Sequence, residues 1–255
     1  MHHVLTPYST WLQEDDWPRH ACPRCGRPTL EPKQLTHHRD EKSDETVTLA
    51  NQQMGPRDEL SGTFEGHLAC ARSACGQAVS IAGDWRYVLD FDEDELVEIF
   101  TNEYHVRYMN PAPLLIDLPA RTPAKVQAAV RAASEVVWLN ASAVANQLRQ
   151  AVEELLTAKK VKRQVHSAKN KVVKLKTHQR IELYRGVNSE VADLLEAVKW
   201  IGNSGSHESS LTVADVLNGA GYLALALRRL YDTSDAELLA QVKAVNKKRG
   251  PVRSS

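Results

Sequence analysis

The stretch KWIGNSGSH, residues 199–207, lies between two amphipathic helical patterns in the C-terminal half of this chain. Before it, apolar residues recur at helical spacing on one face of the pattern: Val191, Leu194, Leu195, Val198 and Ile201. Gly202 is expected to end that helix, and Thr212 is placed as the N-cap of the next one. The sequence therefore predicts a short polar loop that holds Asn203 and His207 between two core helices.

This polar loop supports two interpretations. Glycine-rich loops often present polar side chains to a substrate or partner, and His207 is the residue there that suits proton transfer near neutral pH. Asn, Ser and His are also ordinary turn and cap residues, so the same loop suits a purely structural turn. The residues alone leave both interpretations open.

The composition is that of a globular protein with no strong overall charge. The 255 residues are 42% hydrophobic, which is enough for a sizeable core, and 32 basic residues balance 32 acidic ones. A protein with zero net charge has no overall electrostatic attraction to nucleic acid or to a membrane. The sequence has no apolar run of bilayer-spanning length and no apolar signal core at its N-terminus. We expect a cytoplasmic protein with no membrane partner.

The charges are nevertheless segregated along the chain. Seven acidic residues and one arginine lie between Asp84 and Glu98, and nine basic residues with no acid lie between Lys159 and Arg180. The basic run is predicted to be either a helix with a lysine-covered face or a solvated loop. Lysine and arginine neutralise phosphates, so the candidate nucleic-acid-binding residues are Lys159, Lys160, Lys162, Arg163, Lys169, Lys171, Lys174 and Lys176. The alternative is a run that is simply solvated, as most charge runs are.

Four cysteines form two close pairs, which in an intracellular protein indicates a metal site rather than disulfides. Two residues separate Cys22 from Cys25, four separate Cys70 from Cys75, and a glycine follows each pair. Four thiolates form the closed, tetrahedral ligand set of a structural zinc ion. The alternatives are four unliganded thiols or a redox role.

The predicted domain order follows from these patterns. Residues 1–101 are predicted to form a small β zinc-ribbon domain, with a solvated polar insertion from Pro32 to Pro56 and a hairpin turn at Gly83–Asp84. Prolines punctuate residues 102–123, which indicates an extended linker. Helical patterns fill residues 124–250. The predicted fold class is therefore α+β, mostly α, with a β ribbon followed by a helical bundle.

Two features of the helical half bear on its packing. Thr122 and Pro123 are placed at the start of the first helix. Gly219 and Gly221 interrupt the helix that follows Thr212. Because glycine costs helix stability, this pair indicates a close helix crossing, within one chain or between two copies.

The order of these features resembles the bacterial domain-of-unknown-function 4145 family, in which a cysteine zinc ribbon often precedes the domain. The matching pieces are the CPRCG and CARSACG turns, the approach PAPLLIDLPARTP, the helix with LRQAVEELL and the segment that ends in IGNSGSH. The resemblance covers most of residues 20–231. It implies a helical domain similar to the HEPN superfamily, which includes RNA-cutting toxins and phage-defence nucleases.

That resemblance implies site residues as well. HEPN enzymes are metal-independent, place an arginine a few residues before a histidine, and join two such motifs in a homodimer. Carried onto this sequence, the resemblance implies His207 as the acid–base group and Asn203 as the polar motif residue. Lys199 is the basic residue upstream of His207, but it lacks the bidentate fork of arginine. Arg149 on the neighbouring helix is the candidate guanidinium for the phosphate.

Two functions follow from these expectations. The first is an interaction or nucleic-acid-binding module of a defence or toxin-type system, with RNA, DNA or a protein as its partner. The second is a metal-independent endoribonuclease with a composite site around His207 in a homodimer. The nuclease hypothesis requires Arg149 or Lys199 within reach of His207 in an open groove. The module hypothesis allows His207 to be buried.

Overall fold

The computed structural model describes residues 5–52, 60–92, 97–166, 170–204 and 211–248. Over these residues the chain is α+β, with an antiparallel sheet in its N-terminal half and helices in its C-terminal half. His207 and Lys169, both predicted site residues, lie outside the described residues. None of the described helices is long and apolar enough to cross a membrane.

The N-terminal half is a five-stranded antiparallel sheet, which is larger than the small ribbon predicted. Its strands are β1 (Leu12–Gln13), β2 (Leu30–Arg39), β3 (Leu60–Cys70), β4 (Ala78–Asp92) and β5 (Val97–Asn110), in the order β1-β5-β4-β3-β2. Helix α1 (Glu41–Asn51) follows β2. It begins after Asp40, whose carboxylate accepts a hydrogen bond from the backbone N–H of Ser43 at 2.8 Å.

The prediction of a polar insertion from Pro32 to Pro56 is wrong, because most of that segment is β2 and α1. Its polar side chains find partners on the sheet. The ring of His37 stacks on Trp85 at 4.8 Å, and its Nε2 is 2.9 Å from the hydroxyl of Tyr104. A histidine that is satisfied in this way can occupy a strand without breaking it.

The predicted linker at residues 102–123 also starts too early. Strand β5 continues to Asn110, which pairs with Ser80 of β4, and the irregular segment begins at Pro111. That segment packs onto the helices, as expected: Leu115 is buried and its backbone N–H donates to the Ser134 hydroxyl at 3.0 Å.

Gly83 lies inside strand β4 and makes no hairpin turn, so that prediction is wrong. The strand runs unbroken from Ala78 to Asp92, with an irregularity in its pairing to β5 after Ala82. A Cβ atom at Gly83 would lie 2.1 Å from the carbonyl oxygen of His105. Glycine is needed there because two strands approach too closely for any side chain.

The C-terminal half is helical, as predicted. In the described residues its elements are α2 (Ala124–Val136), α3 (Ala141–Ala158), a hairpin of β6 (Gln164–His166) and β7 (Val172–Lys174), then α4 (Thr177–Arg185), α5 (Ser189–Ser204), α6 (Val213–Tyr231) and α7 (Ser234–Lys248). Thr212 caps α6 as expected, because its hydroxyl accepts from the backbone N–H of Asp215 at 3.2 Å. Within the basic run, residues 164–166 and 172–174 pair as a β-hairpin and residues 177–180 begin α4, so neither the helix nor the plain loop predicted for the whole run is correct.

Gly202 does not end its helix, in contrast to the prediction. Helix α5 continues through it to Ser204, and Asn203 is therefore a residue of the last helical turn. A Cβ atom at Gly202 would lie 3.2 Å from both the carbonyl oxygen of Ala145 and the Cβ of Arg149. The missing side chain lets α5 approach α3 closely.

Gly219 permits a second close crossing, which was predicted. A Cβ atom there would lie 3.1 Å from the side chain of Ile201 on α5 and 3.6 Å from that of Leu148 on α3. Gly221 is buried as well. Both glycines thus serve packing within one chain, and they provide no surface for contact between two copies.

An aromatic cluster around Tyr8 joins the sheet to the helices. Tyr8 lies in a short 3-10 helix (Thr6–Ser9) and is fully buried. Its ring centroid is 6.1 Å from that of Trp17, 4.4 Å from that of His20 and 6.4 Å from that of Trp138, just after α2. Burial lowers the pKa of His20 to about 4, so this histidine is neutral near pH 7. The two halves therefore share one apolar core.

We expect Gly83→Ala to destabilise the fold by about 1–3 kcal/mol, because a methyl group at that position would collide with backbone of the neighbouring strand. Denaturant unfolding followed by circular dichroism measures the change. Gly186→Ala is the matched control: the nearest atom to its Cβ would be 3.8 Å away, so its effect should stay within about 0.5 kcal/mol. Equal stability of the two variants would contradict the close approach at Gly83.

Candidate functional site

The four cysteines come together, as the sequence predicted. Their Sγ atoms all lie within 4.8 Å of one another. Cys22 and Cys75 are 3.7 Å apart, and Cys25 and Cys70 are 3.8 Å apart. Four thiols in this arrangement could hold one metal ion.

Two tight turns present these thiols. The first precedes β2 and the second joins β3 to β4, and the turns end at Gly26 with φ of 69° and Gly76 with φ of 58°. Only glycine adopts this left-handed backbone at little cost. Within the turns, Gly26 N–H donates to the Cys22 carbonyl at 2.8 Å and Gly76 N–H to the Arg72 carbonyl at 3.1 Å. Local backbone geometry thus orients each cysteine pair.

The thiols influence one another electrostatically. A hydrogen bond from the backbone N–H of Arg27 lowers the pKa of Cys25 to about 6. The backbone N–H of Gln77 acts in the same direction on Cys75, but burial and the other three thiols outweigh it and raise the pKa of Cys75 to about 11. One thiolate therefore opposes the ionisation of its neighbours, and a cation among them removes that opposition.

The basic run forms the β6–β7 hairpin, which lies on the protein surface. Gln164 pairs with Lys174 and His166 with Val172. The basic side chains that are exposed on it and on its flanks are Lys160, Lys162, Arg163, Lys171, Lys174 and Lys176. Arg163 pairs with the carboxylate of Glu154 at 3.9 Å. We call these six residues the basic hairpin.

The two ends of the basic run have structural roles. Arg180 is only 2% exposed, and its guanidinium donates to the carbonyl of Glu153 at 3.1 Å and to the hydroxyl of Thr157 at 2.9 Å. Lys159 is half-buried, with its ammonium 4.2 Å from the centre of the Tyr231 ring. Arg180 fastens α4 to the end of α3, so the hairpin projects from a fixed base. Lys159, although predicted to contact nucleic acid, packs on this base.

Lys199 does not lie in an open groove. It is 4% exposed, and its ammonium lies 3.7 Å from a carboxylate oxygen of Glu196 and 3.3 Å from the centre of the Trp200 ring. Its positive charge is therefore already engaged, and the structure does not present it to a phosphate.

Arg149 lies beside the end of α5. A Cβ at Gly202 would be 3.2 Å from the Cβ of Arg149 and 3.7 Å from its Cδ, so the arginine side chain runs past Gly202, one residue before Asn203. Within the described residues its guanidinium has no ion pair, and Asn203 is half-buried. The structure thus brings Arg149 next to Gly202 in the last turn of α5, whereas His207 falls outside the described residues.

Comparison with known families divides the chain at the junction of sheet and helices. A family model described as a domain of unknown function, DUF4145, matches residues 131–248. Residues 131–248 are a DUF4145 domain, the family that the sequence resembled. A second family model, also described as a domain of unknown function, DUF8608, matches residues 10–111. No curated protein and no solved structure matches the chain.

The two matches separate the candidate sites. All four cysteines lie in the DUF8608 match, whereas the basic hairpin, Arg149, Lys199 and Asn203 lie in the DUF4145 domain.

The DUF4145 domain also holds a group of side chains that the sequence did not predict, in which ligand atoms of His178, Glu182 and Glu196 lie within 4.8 Å of one another. Arg185 donates to Glu182 at 3.2 Å and to Glu196 at 2.6 Å, so this group is an ion-pair network. Long-range pairing of this kind leaves no local signal in sequence.

We expect purified protein to carry about one metal ion per chain, and Cys70→Ser to lose most of it, because a structural site needs all four ligands. Elemental analysis of unchelated protein measures the stoichiometry, and a thermal scan should show a lower Tm for the variant. Arg27→Ala is the control, since it removes an exposed side chain next to the first cysteine turn and keeps all four thiols. The site would be contradicted if wild-type protein proved to be metal-free as purified, or if removing its metal left the Tm unchanged.

Proposed function

We propose that this chain is a nucleic-acid-binding module, in which a zinc-stapled sheet supports a helical domain that presents the basic hairpin. The observation that carries the proposal is the exposure of six basic side chains on one hairpin and its flanks. Such a patch attracts the phosphate backbone of RNA or DNA through counterion release and needs no net positive charge on the whole protein.

The hairpin is suited to backbone contact rather than to reading bases. Its cations are mostly lysines, which act as point charges on flexible stems and bind phosphates without a fixed orientation. Backbone contacts position a protein on nucleic acid and carry no sequence information. We therefore assign this surface to binding with little sequence preference.

Zinc is the metal that the four thiols suit best. A tetrahedral ion with Zn–S bonds of about 2.3 Å separates its sulfur ligands by about 3.8 Å. The sulfur distances of 3.7 and 3.8 Å agree with this geometry. Four thiolates leave no open position for water or substrate, so the ion would be structural.

The resemblance of the DUF4145 domain to HEPN proteins supports a place in a defence or toxin-type system. In that setting a binding module holds RNA or DNA, or a partner protein that acts on it. The closed metal site and the engaged Lys199 favour binding over chemistry in the isolated chain.

We expect the variant Lys160→Ala/Lys162→Ala/Lys174→Ala/Lys176→Ala to bind nucleic acid more weakly and with less salt dependence. Each phosphate contact contributes about −0.9 to the slope of log K against log [salt] on duplex DNA, so losing four contacts should reduce the slope by roughly 3–4. Fluorescence anisotropy on duplex DNA and on single-stranded RNA between 50 and 200 mM salt measures this slope. Over that range of salt the affinity itself should change by roughly tenfold or more.

The matched control removes the same charge from four exposed lysines on other elements: Lys33, Lys42, Lys125 and Lys243. This control should keep most of the wild-type slope, because the patch and not the net charge drives binding. Equal weakening of both variants would contradict a local site, as would wild-type protein that binds neither polymer.

A second candidate function is the endoribonuclease, and one observation favours it. The side chain of Arg149 lies against Gly202, which is five positions before His207 in sequence, and its guanidinium has no ion pair among the described residues. In this mechanism His207 takes the ribose 2′-hydroxyl proton or protonates the leaving oxygen, and Arg149 stabilises the phosphate. A homodimer would complete the site.

If this second function holds, His207→Ala should lower the rate of RNA cleavage by about 10²- to 10⁴-fold. Arg149→Met should do likewise without loss of Tm, because methionine keeps the aliphatic contact with Gly202 and removes the charge. Arg229→Ala, on an exposed arginine of α6, is the control. Gel analysis of labelled RNA measures the rates. Wild-type protein that cleaves no RNA, or His207→Ala protein that cleaves at the wild-type rate, would exclude the nuclease.

A further inference from the structure

A cleft of about 440 Å³ lies where the first cysteine turn, the irregular segment after β5 and helix α2 meet. It is lined by Arg24 of the turn, by Asp117 and Leu118 of the irregular segment, and by Gln127 and Arg131 of α2. The DUF8608 match ends at residue 111, at the start of this segment, and the DUF4145 match begins at residue 131, beyond its end. Ligand sites occur preferentially at such junctions, and the volume is in the range of small-molecule sites.

The charged groups of this cleft are free to bind a ligand. Arg24 donates one Nη1 hydrogen bond to the Cys75 carbonyl at 3.1 Å, which orients its guanidinium and leaves its other donors available. In the described part of the chain, Arg131 and Asp117 make no hydrogen bond or ion pair, although both line the same cleft. Two guanidinium groups that are not neutralised by the neighbouring carboxylate favour an anionic ligand.

The remaining lining adds polar and apolar contact. The Gln127 amide is fixed by a hydrogen bond from its Nε2 to the Thr122 carbonyl at 2.8 Å. Pro23, Leu114 and Leu118 contribute apolar surface. A ligand that fits therefore combines one anionic group, at least one hydrogen-bond donor for Asp117, and a flat or apolar part.

We infer that this cleft binds a phosphate monoester on a hydroxyl-bearing scaffold, the chemistry of a nucleoside monophosphate. The phosphate lies between Arg24 and Arg131, since guanidinium groups match phosphate oxygens in bidentate pairs. Asp117 accepts a hydrogen bond from a ribose hydroxyl, and the apolar side chains contact the base. None of the residues that line this site belongs to the basic hairpin, and the site does not depend on the function proposed for that hairpin.

Isothermal titration calorimetry on the metal-loaded full chain tests the inference with inorganic phosphate, ribose 5-phosphate, AMP and adenosine. AMP and ribose 5-phosphate should bind, and adenosine should not. Arg24→Ala and Arg131→Ala should each weaken AMP binding by on the order of 10- to 100-fold, the loss expected for a charged hydrogen bond. Arg27→Ala and Lys125→Ala, which remove exposed cations from the same two elements outside the cleft, should leave it unchanged.

Asp117→Asn gives a signature that a structural role would not produce. It should strengthen inorganic phosphate binding, by removing a like charge, and weaken AMP binding, by removing the acceptor for a hydroxyl. Competition against AMP distinguishes two sources of the phosphate monoester. If an oligonucleotide with a 5′-phosphate displaces AMP and the same oligonucleotide with a 5′-hydroxyl does not, the natural ligand is the end of a nucleic-acid strand. If neither oligonucleotide displaces AMP, the natural ligand is a free nucleotide.

The inference is overturned if wild-type protein binds neither AMP nor ribose 5-phosphate, or if Arg24→Ala and Arg131→Ala bind AMP as tightly as the two controls. Protein with the basic hairpin neutralised should bind AMP normally. Failure of nucleic-acid binding at the hairpin is therefore separable from failure of the cleft.

Discussion

The close approach of four sulfur atoms, all within 4.8 Å of one another, is the constraint on which the N-terminal half depends, because thiolates at such distances repel one another. The two cysteine turns meet at one end of the β2–β3 pair, where Leu30 is opposite Cys70. Strand β2 is an edge strand with an irregularity between Lys33 and Thr36, so its hydrogen bonds to β3 alone specify its register weakly. A cation that binds all four thiolates converts the repulsion into a cross-link and fixes that register. A metal ion at this site would join the two cysteine turns and the β2–β3 pair into one structural unit.

The sheet in turn depends on the helices. The N-terminal segment that carries Tyr8 packs its ring against Trp17 and His20 on one side and Trp138 on the other. The backbone N–H of Leu115 donates to Ser134 of α2, which fastens the segment between the two family matches to the helical domain. Separate family matches usually suggest separate domains, but a shared apolar core couples their stabilities. The cleft at Arg24 and Arg131 therefore has walls that are fixed relative to each other.

Features with local causes could be predicted from the sequence, and features with long-range causes could not. The cysteine turns, the apolar face of α5 and the Thr212 cap each depend on residues a few positions apart, and each was predicted correctly. Gly83 and Gly202 were both interpreted as breaks. In fact each admits a close neighbour, the backbone of His105 in one case and helix α3 in the other. Glycine occurs both at turns and where two elements approach closely. Only the position of the neighbouring element distinguishes the two cases, and that position cannot be read from the local sequence.

The same limit applies to charge. Nine basic residues without an acid read as one uniform patch in sequence, yet Arg180 is buried against α3 and Lys159 packs on Tyr231. These two residues set the base of the hairpin, and the described cations between them are exposed. A net charge of zero does not cancel that surface, because salt limits the reach of an exposed charge to about 10 Å at 0.1 M ionic strength. Only nearby acids can neutralise the hairpin, and the carboxylate of Glu154 pairs loosely with Arg163 at 3.9 Å. A polyanion that meets this surface therefore encounters a locally cationic protein.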